Sequence, residues 1–179
     1  QQVSVTIAEN ESAPTVTLAT SATSIAENAG TSLTLTATLS VATTADVTVA
    51  LSTSGTATEG TDYTDGSGNV DDIVISAGST TGTVSFTPTD DSLYDATSDE
   101  TATIAISGVS GGSASESGTQ TVTITITDNE SAPTVTLATS GTSIAENSVS
   151  TLTLTATLSV ATYQDVTVSI GSSGTATEG

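Results

Sequence analysis

Thr121-Val-Thr-Ile-Thr-Ile-Thr127 alternates a hydroxyl-bearing β-branched residue with an aliphatic one at every step. Thr31-Ser-Leu-Thr-Leu-Thr-Ala-Thr-Leu-Ser40 does the same from Leu33 onward. Successive side chains of a strand point to opposite faces, so a period of two sends every Thr to one face and every Val, Ile or Leu to the other. One face is solvated and the other is core, and β-branched residues suit that half-buried pleat. Working outward, the same alternation predicts strands near 15–26 (kinked), 31–40, 45–52, 70–76, 80–88, 101–107 and 119–127. Seven strands separated by turn signals predict an all-β, immunoglobulin-like seven-stranded β-sandwich, with no helix longer than a turn or two.

The chain also matches itself. Residues 12–60 and 131–179 align at an offset of 119 with 38 of 49 positions identical. Val3–Ile7 followed by Glu9-Asn10-Glu11 corresponds in the same way to Val122–Ile126 followed by Asp128-Asn129-Glu130. The sequence therefore reads as tandem domains: residues 1–11 as the last strand of a preceding repeat, 12–131 as one complete repeat, and 132–179 as the first part of the next. The expectation is a window on a longer polymer. The links at 10–14 and 129–133 carry a Pro and few residues, so they read as short and stiff.

Composition closes off most chemistry. Among 179 residues there is no Lys, Arg, His, Cys, Met or Trp. The usual bases, thiol nucleophiles and Schiff-base amines are missing, so the chain is expected not to be an enzyme. Zinc, haem and iron–sulfur sites lose their preferred ligands as well. A net charge of −20 excludes nucleic-acid binding, which needs cations against phosphate, and opposes docking on anionic lipid. No apolar run in this window is long enough to span a membrane. The 70 Ser and Thr residues could mark a disordered or O-glycosylated stalk, but their alternation with aliphatics is first a strand pattern.

The acids are unevenly placed. With strands running alternately up and down, loops 27–30, 53–69, 89–100 and the exit at 128–131 share one pole. That pole receives Glu27, Glu59, Asp62, Asp65, Asp90, Asp91, Asp95, Asp99, Glu100, Asp128 and Glu130. The opposite loops hold little more than Glu116, with Asp46 at a strand foot. Crowded carboxylates repel one another, and Ca2+, which takes six to eight oxygen ligands, is the natural counter-ion. Solubility alone is the plainer explanation for acidic loops, but it does not gather them at one end. Tyr63 and Tyr94 read as core plugs beside these loops. Asn10-Glu-Ser and Asn129-Glu-Ser fit glycosylation acceptors, though a turn-forming Asn at a linker is the better reading. Asp90 and Asp91 are neighbours on one loop tip, unlike the separated carboxyls of a glycosidase.

Gly55-Thr-Ala-Thr-Glu-Gly-Thr-Asp-Tyr63, Val84-Ser-Phe86, Thr89-Asp-Asp-Ser-Leu-Tyr-Asp95 and the closing Val122-Thr-Ile-Thr-Ile-Thr-Asp-Asn-Glu130 together resemble a Calx-β domain. The resemblance covers the whole complete repeat, including Ile25-Ala-Glu-Asn28. It implies a seven-stranded sandwich and calcium held by Glu27, Asp62, Asp90, Asp91, Asp95, Asp128 and Glu130, with Glu100 at the position that opens the next-to-last strand. One departure is that the last strand ends Asp-Asn-Glu where the family carries a run of Asp. Such domains occur in sodium–calcium exchangers, integrin subunits and long arrays on bacterial surface proteins.

Two functions follow as expectations. The first is a calcium-binding spacer repeat in an extracellular adhesin, sheath or filament of a secreted bacterial protein. Its partners would be calcium ions, neighbouring repeats and other chains of the filament. The alternative is a calcium-responsive sensor module. Near-identical copies add length without new chemistry, which favours the spacer.

Overall fold

The computed structural model describes residues 1–6, 10, 12–65, 70–95 and 99–176. It divides into two compact units: Gln1–Asp90 with Asp99–Thr127, and Asp91–Ser98 with Asp128–Gly179.

The first unit is built from β1 (Thr15–Thr20), β2 (Ser24–Ala26), β3 (Leu33–Leu39), β4 (Val47–Gly55), β5 (Tyr63–Thr64), β6 (Ile73–Ile75) and β7 (Thr81–Pro88). The second unit contributes β8 (Leu93–Tyr94); the first then continues through β9 (Asp99–Ser110), β10 (Ser115–Glu116) and β11 (Thr121–Thr127). One sheet runs β10-β1-β3-β7-β5 and the other β2-β11-β9-β4-β6. The only helical turn among the described residues is the 3-10 turn Glu27–Ala29, closed by Gly30 at a φ of 61°.

The expected kink in 15–26 is a change of sheet. Beyond β1 the chain turns at Ser21, whose N–H donates to the Thr34 carbonyl and whose Oγ accepts from the Thr34 N–H. β2 then joins the other sheet beside β11, parallel, with Thr125 opposite Ser24 and Thr127 opposite Ala26. Two strands are longer than the alternation predicts. β4 and β9 stay paired from Thr48–Ser110 to Gly55–Ala102, with a register shift between Ala50 and Leu51. Such a bulge adds twist and lets a long pair wrap the core. Gly55 ends the pair at a φ of 126°, and a Cβ there would lie 2.0 Å from the Thr101 carbonyl oxygen.

The aliphatic faces read from the sequence meet between the sheets. Val16, Leu35, Val47, Val49, Ile73, Ile75, Ile104 and Ile124 are fully buried, and Tyr63 stacks on Phe86 with ring centroids 4.6 Å apart. Such a pair contributes about 1 kcal/mol beyond its buried area. Tyr94, expected in the core, lies instead in β8, partly buried and outside the core cluster. Residues 1–6 are exposed and form no strand, while Ile7–Glu9 and Glu11 lie outside the described residues.

The second unit holds β8, β12 (Val135–Thr139), β13 (Leu154–Leu158) and β14 (Ala161–Thr162). β12 and β13 pair with Val135 opposite Leu158 and Thr139 opposite Leu154, which is the β1–β3 register displaced by the repeat offset. The side-chain bonds repeat too: Ser40 Oγ accepts from the Thr15 N–H at 3.0 Å, and Ser159 Oγ from the Thr134 N–H at 2.9 Å. Burial does not repeat. Val16 and Leu35 are 0% exposed, whereas their counterparts Val135 and Leu154 are 44% and 53% exposed. The parallel β8–β14 pair sets Leu93 opposite Ala161 and Tyr94 opposite Thr162, and the Tyr163 N–H donates to the Tyr94 carbonyl.

Candidate metal centre

The eight acids expected at the metal divide evenly, with Glu27, Asp62, Asp90 and Glu100 in the first unit and Asp91, Asp95, Asp128 and Glu130 in the second. In the first unit, β-sheet register brings their elements to one end of the sandwich. Glu27 follows Ala26, which lies opposite Thr127; Glu100 lies opposite Ile126. The Asp62 carbonyl accepts from the Thr89 N–H at 2.9 Å, tying the Gly-x-Asp-Tyr turn to the loop that carries Asp90. Glu27 and Asp90 line a cleft of about 220 Å3 with Thr31, Ser32 and Thr87. The Asp62 carboxylate is already engaged, accepting from the Thr58 N–H at 2.6 Å.

In the second unit the backbone N–H groups of two of the acids converge on the carboxylate of a third. Asp128 Oδ2 accepts from the Asp95 N–H and Oδ1 from the Glu130 N–H, each at 3.0 Å. Burial alone would raise the Asp128 pKa. The N–H donors of Glu130, Asp95 and Asn129 oppose it and hold the group below the usual carboxylate range. Glu130 Oε1 accepts from Asn129 Nδ2 at 2.7 Å, so the linker Asn serves the acid beside it. Glu130 Oε2 is buried and has no hydrogen-bond partner among the described residues. Asp91 Oδ1 accepts from the Leu93 N–H, which shapes the loop leading into β8.

A buried anionic oxygen without a donor is costly, and this sequence has no basic side chain to meet it. Hard divalent cations take oxygen ligands of this kind, so the donor set and the open Glu130 Oε2 fit calcium. Other acids at the same pole have a different job. Glu59 accepts from the Thr53 hydroxyl and the Val70 N–H, which ties both residues to one carboxylate. The alternation places Glu59 correctly but cannot tell a loop staple from a ligand. The β8–β14 pair has no sequence signal of its own, because each strand is two residues long and exists through its partner.

A two-sheet all-β sandwich with carboxylate-bearing loops at one end defines the class as an acidic immunoglobulin-like module. Residues 9–130 match the Calx-beta domain, well over half of the chain, and the chain belongs to that family, which is associated with calcium binding. No curated protein was found to match it. No helix among the described residues is long and apolar enough to cross a membrane.

Proposed function

We propose that this chain is a calcium-binding structural spacer, a repeat unit of an extracellular adhesin, sheath or filament without catalytic activity. The observation that carries the reading is the Asp95–Asp128–Glu130 group with its buried, unpartnered Glu130 Oε2 in a chain that has no basic side chain. Glu27, Asp62, Asp90, Asp91, Asp95, Glu100, Asp128 and Glu130 are the ligand set the sequence offers. A bound Ca2+ would supply positive charge where the carboxylates repel. The residues themselves do the positioning: Asp128 is aimed by two backbone donors, and Asp91 is fixed by the turn into β8. The spacer role is supported by the self-match of the sequence and by the identical β1–β3 and β12–β13 registers.

Thermal unfolding in calcium and in chelator tests this. A ligand that binds only the folded state adds about 2.7 kcal/mol at a hundredfold excess over its dissociation constant. Calcium is expected to raise the melting temperature by several degrees, and Glu130→Gln to reduce that rise, with the chelated variant at least as stable as the chelated parent because an uncompensated buried charge is gone. Equal melting curves in calcium and chelator at low salt would overturn the reading.

A further inference from the structure

We infer that β14 is a positioning element for the metal centre: by pairing with β8, residues 161–163 hold the loop that carries Asp91 and Asp95, and calcium affinity depends on them. The inference rests on the calcium reading above. It adds a segment that lies outside both the eight expected ligands and the family match at 9–130. β8, β14, Asp91, Asp95, Asp128 and Glu130 all belong to the second unit.

β8 is two residues long, and Asp91 and Asp95 stand on either side of it in the chain. Among the described residues, the strand that pairs with β8 is β14. Leu93 lies opposite Ala161 and Tyr94 opposite Thr162, and the Tyr163 N–H donates to the Tyr94 carbonyl at 3.2 Å. Both acids are reached from this seam within two residues. The Asp91 carboxylate accepts from the Leu93 N–H at 2.6 Å, and the Asp95 N–H donates to Asp128 Oδ2 at 3.0 Å. Leu93 and Tyr94 are therefore tied to β14 along their length and to acids of the proposed site at their ends.

The β14 side of the seam is the one shaped by its own sequence. The Thr162 hydroxyl donates to the Gln164 carbonyl at 2.6 Å, and Thr43, 119 positions earlier, makes the same bond to the Ala45 carbonyl at 2.7 Å. The turn forms in both copies although the residues within it change from Thr44-Ala45 to Tyr163-Gln164. β8 then takes its place against a turn already made. Ordering a loop costs conformational entropy in every residue, and a loop ordered beforehand leaves that cost out of ion binding. The apparent dissociation constant rises as the fraction of molecules with the loop in place falls.

Calorimetric titration of the 179-residue chain with Ca2+, together with amide exchange in chelator, tests this. Tyr163→Pro deletes the N–H that donates to Tyr94, and the Tyr163 side chain is 71% exposed, so its loss opens no core. The calcium dissociation constant should rise about tenfold, as when the loop is in place in about one molecule in ten. In chelator the Asp95 amide should exchange about tenfold faster. Tyr163→Phe keeps the N–H and should match the parent in both measurements. The double change Ala161→Gly with Thr162→Gly loosens β14 while keeping every backbone donor, and should move both in the direction of Tyr163→Pro. Circular dichroism in chelator checks that each variant folds as the parent does. A parent that binds no calcium would overturn the calcium reading and this inference with it. A parent that binds, beside a Tyr163→Pro variant that keeps either the parent's affinity or its Asp95 exchange, would overturn the inference alone.

Discussion

Tyr63 is closed between the sheets, with its hydroxyl bonded to Thr53 and the carboxylates of Glu59 and Asp62 nearby. Burial pushes its pKa up, the two acids push the same way, and the Thr53 bond opposes them without prevailing. With no Lys, Arg, Cys or His, the tyrosines are the only side chains that lose protons in alkali. The folded state favours neutral Tyr63, so its contribution is complete below the ordinary tyrosine pKa near 10 and is lost as pH rises through the higher folded value. Melting temperature should fall above about pH 10, and Tyr63→Phe should remove most of that fall, whereas Tyr163→Phe, at an exposed site, should not. Backbone demands are equally local. Gly55→Ala puts a Cβ against the Thr101 carbonyl in a left-handed conformation and should cost about 3 kcal/mol in urea unfolding. Gly171→Ala, in open space, should stay within about 0.5 kcal/mol of the parent. Tyr63 was legible as a core plug because an aromatic residue stands among the acidic loops. Tyr94 has similar surroundings in sequence but pairs with Thr162, a contact set by tertiary position and not by its neighbours.

Among the elements, the alternating hydroxyl and aliphatic residues made all seven main strands readable, because a period of two is a property of the segment itself. β5, β8 and β10 were not readable: at two residues each they have no period, and their partners alone define them. The acids were readable as a group at one pole, but whether a carboxylate holds a metal or a backbone N–H depends on which donor the fold brings near. Asp46 accepts from Ala77, Asp72 from Leu51 and Glu116 from Gln120, so in this chain carboxylates do the tying that Lys and Arg share elsewhere. The β1–β3 and β12–β13 hairpins offer a controlled comparison of local and tertiary stability. Sequence, register and side-chain bonds agree, whereas β1 and β3 have the further strand neighbours β10 and β7 and a buried face that β12 and β13 lack among the described residues. In dilute solution the β13 amides should exchange with solvent at least about a hundredfold faster than those of β3, as measured by native-state hydrogen exchange.

For the whole molecule, the proposed calcium role predicts a change of shape as well as of stability. Two complete repeats joined by the Asn129–Pro133 link should scatter X-rays as an extended, stiff particle in calcium, and with a broader, shorter distribution of dimensions in chelator. Unchanged scattering would leave the link indifferent to the ion. The topology of the first unit has a further consequence when such a chain is pulled. β2 lies near its beginning and β11 at its end, and the two are parallel neighbours. Tension entering through β1 and leaving through Thr127 drags them in opposite directions along their own axes. The hydrogen bonds between them are then loaded in shear, all together, instead of being peeled open one after another. The β1–β10 pair, also parallel, is loaded in the same sense. A module stitched in this way resists stretching most strongly along the line of the chain, so the rupture force in single-molecule pulling should drop when a proline at Ile25 interrupts the β2–β11 seam.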